Sequence, residues 1–262
     1  MNYLEEYYNA YDEEGRLLSR HGQVEYLTTM KYIEECLKGF SNPSIIEVGA
    51  GTGRYSVTLA KRGLRVTAVE LIEHNLEILR SKLDGTESIT AIQGDALDLS
   101  SLPDRSFDLT MLLGPMYHLY TLEDKMQAMS EAVRVTKPGG FILVAYCMNE
   151  PTIIQYVFLG NHLNEVTKTN SLLTDDWHCK SEPKEVFELV RTEDISLLNS
   201  KFPLDRIKLV ATDGAAHYLS GFIDGMDRET FLKWMEYHFA TCERQDLIGA
   251  SNHTLDILKV RG

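Results

Sequence analysis

The chain has 262 residues, 44% of them hydrophobic and 25% charged, which excludes the disordered and fibrous classes and suffices for a sizeable buried core. Its 26 Lys and Arg against 39 Asp and Glu leave a net charge of −13. That excess repels a phosphate backbone and no Lys/Arg-rich run offsets it, so a nucleic-acid partner is disfavoured and a small molecule is the first expectation.

Residues 1–40 read as a helical cap, with Val24, Leu27, Met30, Ile33 and Leu37 at helical spacing and a stop at Gly39. The start has an acidic front and no apolar signal region, and the longest apolar run, Phe141–Met148, is far short of the roughly 20 residues that span a bilayer. A cytoplasmic protein with no membrane contact is expected. From Ser44 the pattern switches to short β-rich runs alternating with amphipathic stretches. Strands are predicted at Ser44–Val48, Arg65–Val69, Ser88–Ile92, Phe107–Leu113 and Phe141–Tyr146, with helices at Arg54–Arg62, His74–Lys82 and Leu122–Val135. Nearly all-apolar strands mark a parallel sheet covered on both faces, a doubly wound α/β core. Pro138-Gly139-Gly140 reads as the separator between the last of these helices and its strand. Regularity lapses over 149–185, read as an insertion or lid. It resumes with a helix at Ile195–Ser200, a strand at Arg206–Ala211, a helix at Glu229–Glu243 and a strand at Thr254–Val260, all within one domain, 1–262. The cysteines at 36, 147, 179 and 242 form no CxxC pair and are expected to be reduced thiols.

The run Ile45-Ile46-Glu47-Val48-Gly49-Ala50-Gly51-Thr52-Gly53-Arg54 takes a buried strand through a glycine turn into a helix. Glycines there let the backbone turn tightly and approach a ligand, and the helix start presents free N–H groups. Glu70 ends the next strand, where an acid can accept from both ribose hydroxyls. Together these imply a nucleoside ligand. A dinucleotide fingerprint would need Gly or Ala at position 54, where this chain has Arg54, so the nicotinamide reading is weakened.

Further elements follow in order: Gly94-Asp95-Ala96-Leu97, then Phe107 to Gly114, then Glu131 to Gly140. In this series the sequence resembles the class I S-adenosylmethionine-dependent methyltransferases, and looks most like the small-molecule branch that includes ubiquinone/menaquinone-biosynthesis enzymes; the resemblance covers roughly 44–148. It implies a seven-stranded, mostly parallel Rossmann-like sheet with an antiparallel final hairpin, and S-adenosylmethionine as the cofactor, leaving as S-adenosylhomocysteine, with no metal. Glu47, Gly49, Ala50, Gly51 and Gly53 would surround its methionine end, Glu70 and Leu71 its ribose, Asp95 and Ala96 its adenine. Leu113 would close the strand under the sulfonium.

Gly114-Pro115-Met116-Tyr117 superficially resembles the loop of amine- and amide-methylating enzymes, but Gly114 lacks the side-chain acceptor that holds the target amine. His118 has a reference pKa near neutrality and is the candidate general base; packing against the cofactor is its alternative role. Tyr117 and Trp177 are candidate acceptor contacts, and Tyr11 and Arg16 could close over the cofactor carboxylate. The expected reaction is methyl transfer to an O, N or C nucleophile of a small-molecule acceptor. Methylation of protein or nucleic acid, or a non-catalytic nucleoside-binding or regulatory role, stays open.

Overall fold

The computed structural model describes residues 3–11, 13–169, 172–182 and 187–262; the parts of the expected cap at 1, 2 and 12 and of the expected insertion at 170, 171 and 183–185 lie outside them. The N-terminal region is three helices: α1 (Tyr3–Ala10), α2 (Glu13–Arg16) and α3 (Arg20–Leu37). The cap divides between α2 and α3 because Ser19 takes extended backbone and caps α3, its side chain accepting from the Gly22 N–H. A Cβ on Gly22 would sit 2.4 Å from the Arg16 carbonyl oxygen, so only glycine lets α2 pack this closely on α3.

There follow β1 (Ser44–Val48), α4 (Arg54–Lys61), β2 (Arg65–Glu70), α5 (Glu73–Ser81), β3 (Ile89–Gln93), β4 (Phe107–Leu112), α6 (Leu122–Val135) and β5 (Thr136–Met148). These match the predicted elements to within a residue or two, except at β5. There Pro138-Gly139-Gly140 lies inside the strand as a bulge, because pairing jumps from Phe107 with Thr136 to Leu109 with Phe141. Beyond β5 come α7 (Asn149–Thr152), two wide π-type helical segments at Ile153–Leu159 and Glu165–Thr169, β6 (Leu189–Val190), α8 (Thr192–Asn199), β7 (Leu204–Ala211), α9 (Ser220–Asp224), α10 (Arg228–Thr241), α11 (Gln245–Ile248) and β8 (His253–Val260).

Among the described residues the strands form one sheet in the order β3-β2-β1-β4-β5-β8-β7. The strands from β3 to β5 run parallel, while β8 is antiparallel to both β5 and β7, the expected final hairpin. The two-residue β6 was not foreseen and pairs with Cys147 and Met148, where β5 runs past the end of β4. Strand alternation sorts the apolar side chains between two cores. Ile46, Val48, Leu112, Ile142, Val144 and Leu258 pack on the α6 and α8 side. Ile45, Leu109, Met111, Leu143, Ala145 and Ile257 pack against α3 and α4. No helix among the described residues is long and apolar enough to cross a membrane.

The connections leave β1 in one direction for β2 and β3 and return beside it at β4, so the sheet order reverses between β1 and β4. Ligands of open α/β sheets bind at the carboxyl ends of strands at such a switch point.

Candidate active site

A cleft of about 1180 Å³ opens there, at or above the upper end of the usual range for a single small-molecule ligand. One end is built from the β1 and β2 turns. Gly49 and Gly51, with φ of 75° and 54°, hold backbone that side-chain-bearing residues avoid. A Cβ on Gly49 would lie 2.6 Å from Pro115 Cδ, so the glycine also admits the loop after β4. Glu70, 5% exposed, accepts from the Gly51 N–H through Oε2 at 2.7 Å and from the Ile72 N–H through Oε1 at 2.9 Å. Asp95 accepts from the Leu97 N–H at 2.9 Å, a turn that places Asp95, Ala96 and Leu97 along the same wall.

Glu47, Ala50 and Gly53 stand behind this wall and are not among the residues that line the cleft. Glu47 is buried under the start of α4 and accepts from both the backbone N–H and the hydroxyl of Ser56. Burial pushes its carboxyl up to about 8 in spite of those donors. Gly53 starts α4 at φ 82°, and a Cβ there would lie 2.6 Å from Leu79 Cγ.

The other end is aromatic and apolar. Leu113, Tyr117 and His118 come from the segment after β4, Tyr7, Tyr8 and Tyr11 from the N-terminal region, Phe187 from just before β6, and Ile153, Val157 and Val166 from the π-type segments. Tyr8 Oη lies 2.8 Å from His118 Nε2. Tyr7 and Tyr11 stack with ring centres 5.2 Å apart, and the rings of His118 and Phe187 are 5.7 Å apart. Trp177 is not among the lining residues: it stacks on Phe158 and is 42% exposed.

Arg16 lines the cleft but is already held by Glu25, with NH1 to Oε2 at 2.8 Å and NH2 to Oε1 at 3.2 Å. Burial pushes the Glu25 carboxyl upward, but the charges of Arg16 and His253 outweigh it and hold the group below its ordinary range. His253, at the start of β8, also lines the cleft, and its Nδ1 is 2.8 Å from Asp213 Oδ2. Sequence reading missed Glu25, Asp213, His217 and His253. The available signal was that Asp213 follows the apolar end of β7 and His253 opens β8, so both fall at the sheet edge that carries the cleft.

A family described as methyltransferase domain matches residues 46–144. The chain is 24% identical over 199 residues to the ubiquinone biosynthesis O-methyltransferase of Alkalilimnicola ehrlichii, covering 74% of this chain and 78% of that one. It is 30% identical over 149 residues to the demethylmenaquinone methyltransferase of Clavibacter sepedonicus, covering 56% and 58%. In fold it is similar to a Thermotoga maritima protein described as a SAM-dependent methyltransferase, possible histamine N-methyltransferase, with a TM-score of 0.60, 19% identity and 99% of each chain covered. With the sheet order and the glycine turn, these matches place the chain in the class I S-adenosylmethionine-dependent methyltransferases.

Proposed function

We propose that this enzyme methylates a small-molecule acceptor at an O, N or C nucleophile. The observation that carries the reading is the cleft with two unlike ends: polar turns suited to a nucleoside, continuous with an apolar, aromatic chamber. The net charge of −13 supports it against a nucleic-acid acceptor.

The donor end fits S-adenosylmethionine. Glu70 accepts from the Gly51 and Ile72 N–H groups, and a carboxylate at this strand end suits the two ribose hydroxyls. Asp95 Oδ2 and the Ala96 N–H suit the adenine edge, and Leu71 would flank the ribose. Gly49 and Gly51 let the backbone reach the methionine end, with Glu47, Ala50 and Gly53 supporting the turn from behind. Leu113 would close the wall on the sulfur side. Arg16, paired to Glu25, and Tyr11, stacked on Tyr7, cover the opening. When bound, the sulfonium supplies an activated methyl group, so the chain's own task is to hold the nucleophile in line with it, exclude water and manage a proton. His118 is tied through Nε2 to Tyr8, and we assign it to orienting the acceptor together with Tyr117. Residues 149–169 and 172–182 serve as the lid over the acceptor, with Trp177 on the outer side.

Calorimetry with S-adenosylhomocysteine tests the donor site, and labelled S-adenosylmethionine with an acceptor library tests the activity. Tight binding of the product nucleoside with transfer to small acceptors is expected. Absence of binding would overturn the reading.

A further inference from the structure

His217 and His253 line the cleft, and Glu25 and Asp213 gather behind His253, although the four come from α3, from the segment after β7 and from the start of β8. Asp213 is buried, and three donors engage it: the Ser251 hydroxyl and the His253 backbone N–H on Oδ1, and His253 Nδ1 on Oδ2. Its orientation is therefore set by the protein itself. The hydrogen bond to Nδ1 leaves Nε2 as the ring nitrogen available to a ligand, and the His253 side chain keeps 16% of its surface exposed while lining the cleft. Its ring centre lies 6.1 Å from that of Tyr117, whose segment touches the glycine turn through Pro115. The chamber in front of it is walled by Tyr117, Phe187, Ile153, Val157 and Leu173.

We propose that His253, oriented by Asp213, is the acid–base group of the acceptor site, and that the acceptor presents an acidic hydroxyl on a flat, largely apolar ring. This rests on the methyltransferase reading above and names the half of the site that reading leaves open. The hydroxyl gives its proton to Nε2. An oxygen electron pair then forms the bond to the methyl carbon as the carbon–sulfur bond breaks, its electrons neutralising the sulfonium, and the proton remains on His253 until it passes to water. An acceptor that arrives already ionised meets the imidazolium and reaches the same complex.

The electrostatics suit this pairing. Around His253 stand Glu25 at 3.5 Å, Asp213 at 2.8 Å, Arg16 bound to Glu25, the neighbouring His217 ring at 5.8 Å, Tyr117, and Cys147 across the strand pair. Burial disfavours a charged ring here, but Glu25, Cys147 and Asp213 outweigh it and raise the imidazole well above its ordinary range. A stronger base narrows the gap to a ring hydroxyl, which lowers the cost of the transfer.

The test uses 4-nitrophenol, a flat hydroxyl whose colour reports its own ionisation, with the full chain saturated in S-adenosylhomocysteine. Wild-type protein should bind it as the phenolate at a pH where the free dye is mostly protonated, shifting its ionisation by a unit or more. His253→Gln should abolish that shift while leaving nucleoside affinity, measured by calorimetry, within about twofold. With labelled donor, transfer to the dye should fall about 100-fold or more in His253→Gln. In Asp213→Asn it should fall less, with the dye shift reduced. Equal ionisation in wild type and His253→Gln, or no dye binding by nucleoside-loaded protein, would overturn the proposal. So would stoichiometric uptake of Zn²⁺ lost in His217→Gln, which would make the cluster a metal site. Failure of S-adenosylhomocysteine to bind would instead remove the donor reading beneath it.

Discussion

The backbone N–H of Gly51 donates to Oε2 of Glu70 at 2.7 Å, joining the turn after β1 to the end of β2. The acid proposed for the ribose thus also fixes the glycine turn proposed for the methionine end. Glu70→Ala should weaken S-adenosylhomocysteine binding by about 1–3 kcal/mol, roughly 10- to 100-fold in Kd, and lower thermal stability in the absence of nucleoside as well. Calorimetry paired with thermal melting checks both, and an unchanged Kd would remove the ribose role.

Two left-handed glycines separate backbone strain from steric conflict. At Gly139, with φ 79°, an added Cβ has nothing within 4 Å, so Gly139→Ala should cost only about 1–2 kcal/mol of left-handed penalty. At Gly49, with φ 75°, the same Cβ lies 2.6 Å from Pro115 Cδ, so Gly49→Ala adds displacement of the loop after β4. Urea unfolding should rank Gly49→Ala as the more destabilised, and it alone should lose nucleoside affinity.

Glu47 should make stability fall with rising pH. Its folded carboxyl titrates near 8 and its unfolded one near 4.5, so its contribution is fully present below the unfolded value and is lost as pH rises through the folded one. The slope from this group is at most about 1.4 kcal/mol per pH unit inside that window. Other buried acids act in the opposite sense, Glu25 and Asp213 both being held low, so the measurement is a comparison. Glu47→Gln keeps an acceptor for the Ser56 donors and should gain stability relative to wild type between pH 5 and pH 8. A constant difference between the two proteins over that range would contradict the buried neutral acid.

The Arg16–Glu25 pair ties the N-terminal helices to the floor of the cleft. Arg16→Ala leaves a buried carboxylate facing His253 alone and should cost about 3 kcal/mol or somewhat less, since the guanidinium is partly exposed. Arg16→Met with Glu25→Leu should recover part of that loss, because it removes both charges together. A double variant less stable than Arg16→Ala would show that the pair contributes more than mutual neutralisation. Both are read by urea unfolding.

The proposed donor half is legible in the sequence because it is local. Apolar runs specify the strands, and the glycines of one turn and the acids at two strand ends lie within 49 residues, from Glu47 to Asp95. Short-range backbone chemistry imposes that spacing, so the Arg54 departure from the dinucleotide pattern could be read at once. The bulge at Pro138-Gly139-Gly140 was misread as a separator because proline and glycine mark a bulge and a turn alike; pairing with β4 decides between them.

The cluster around His253 carried no such signal. His253 and Asp213 are 40 residues apart and Glu25 lies well over 150 residues before either, with no spacing rule to connect them. Only the antiparallel insertion of β8 between β5 and β7 brings the start of β8 beside the end of β7, and only the break between α2 and α3 presents Arg16 and Glu25 to that edge. Sequence alone determined the class of fold and the donor chemistry, since both follow from local periodicity and turn stereochemistry. Tertiary structure decided which charges gather around His253, because long-range strand pairing sets those distances.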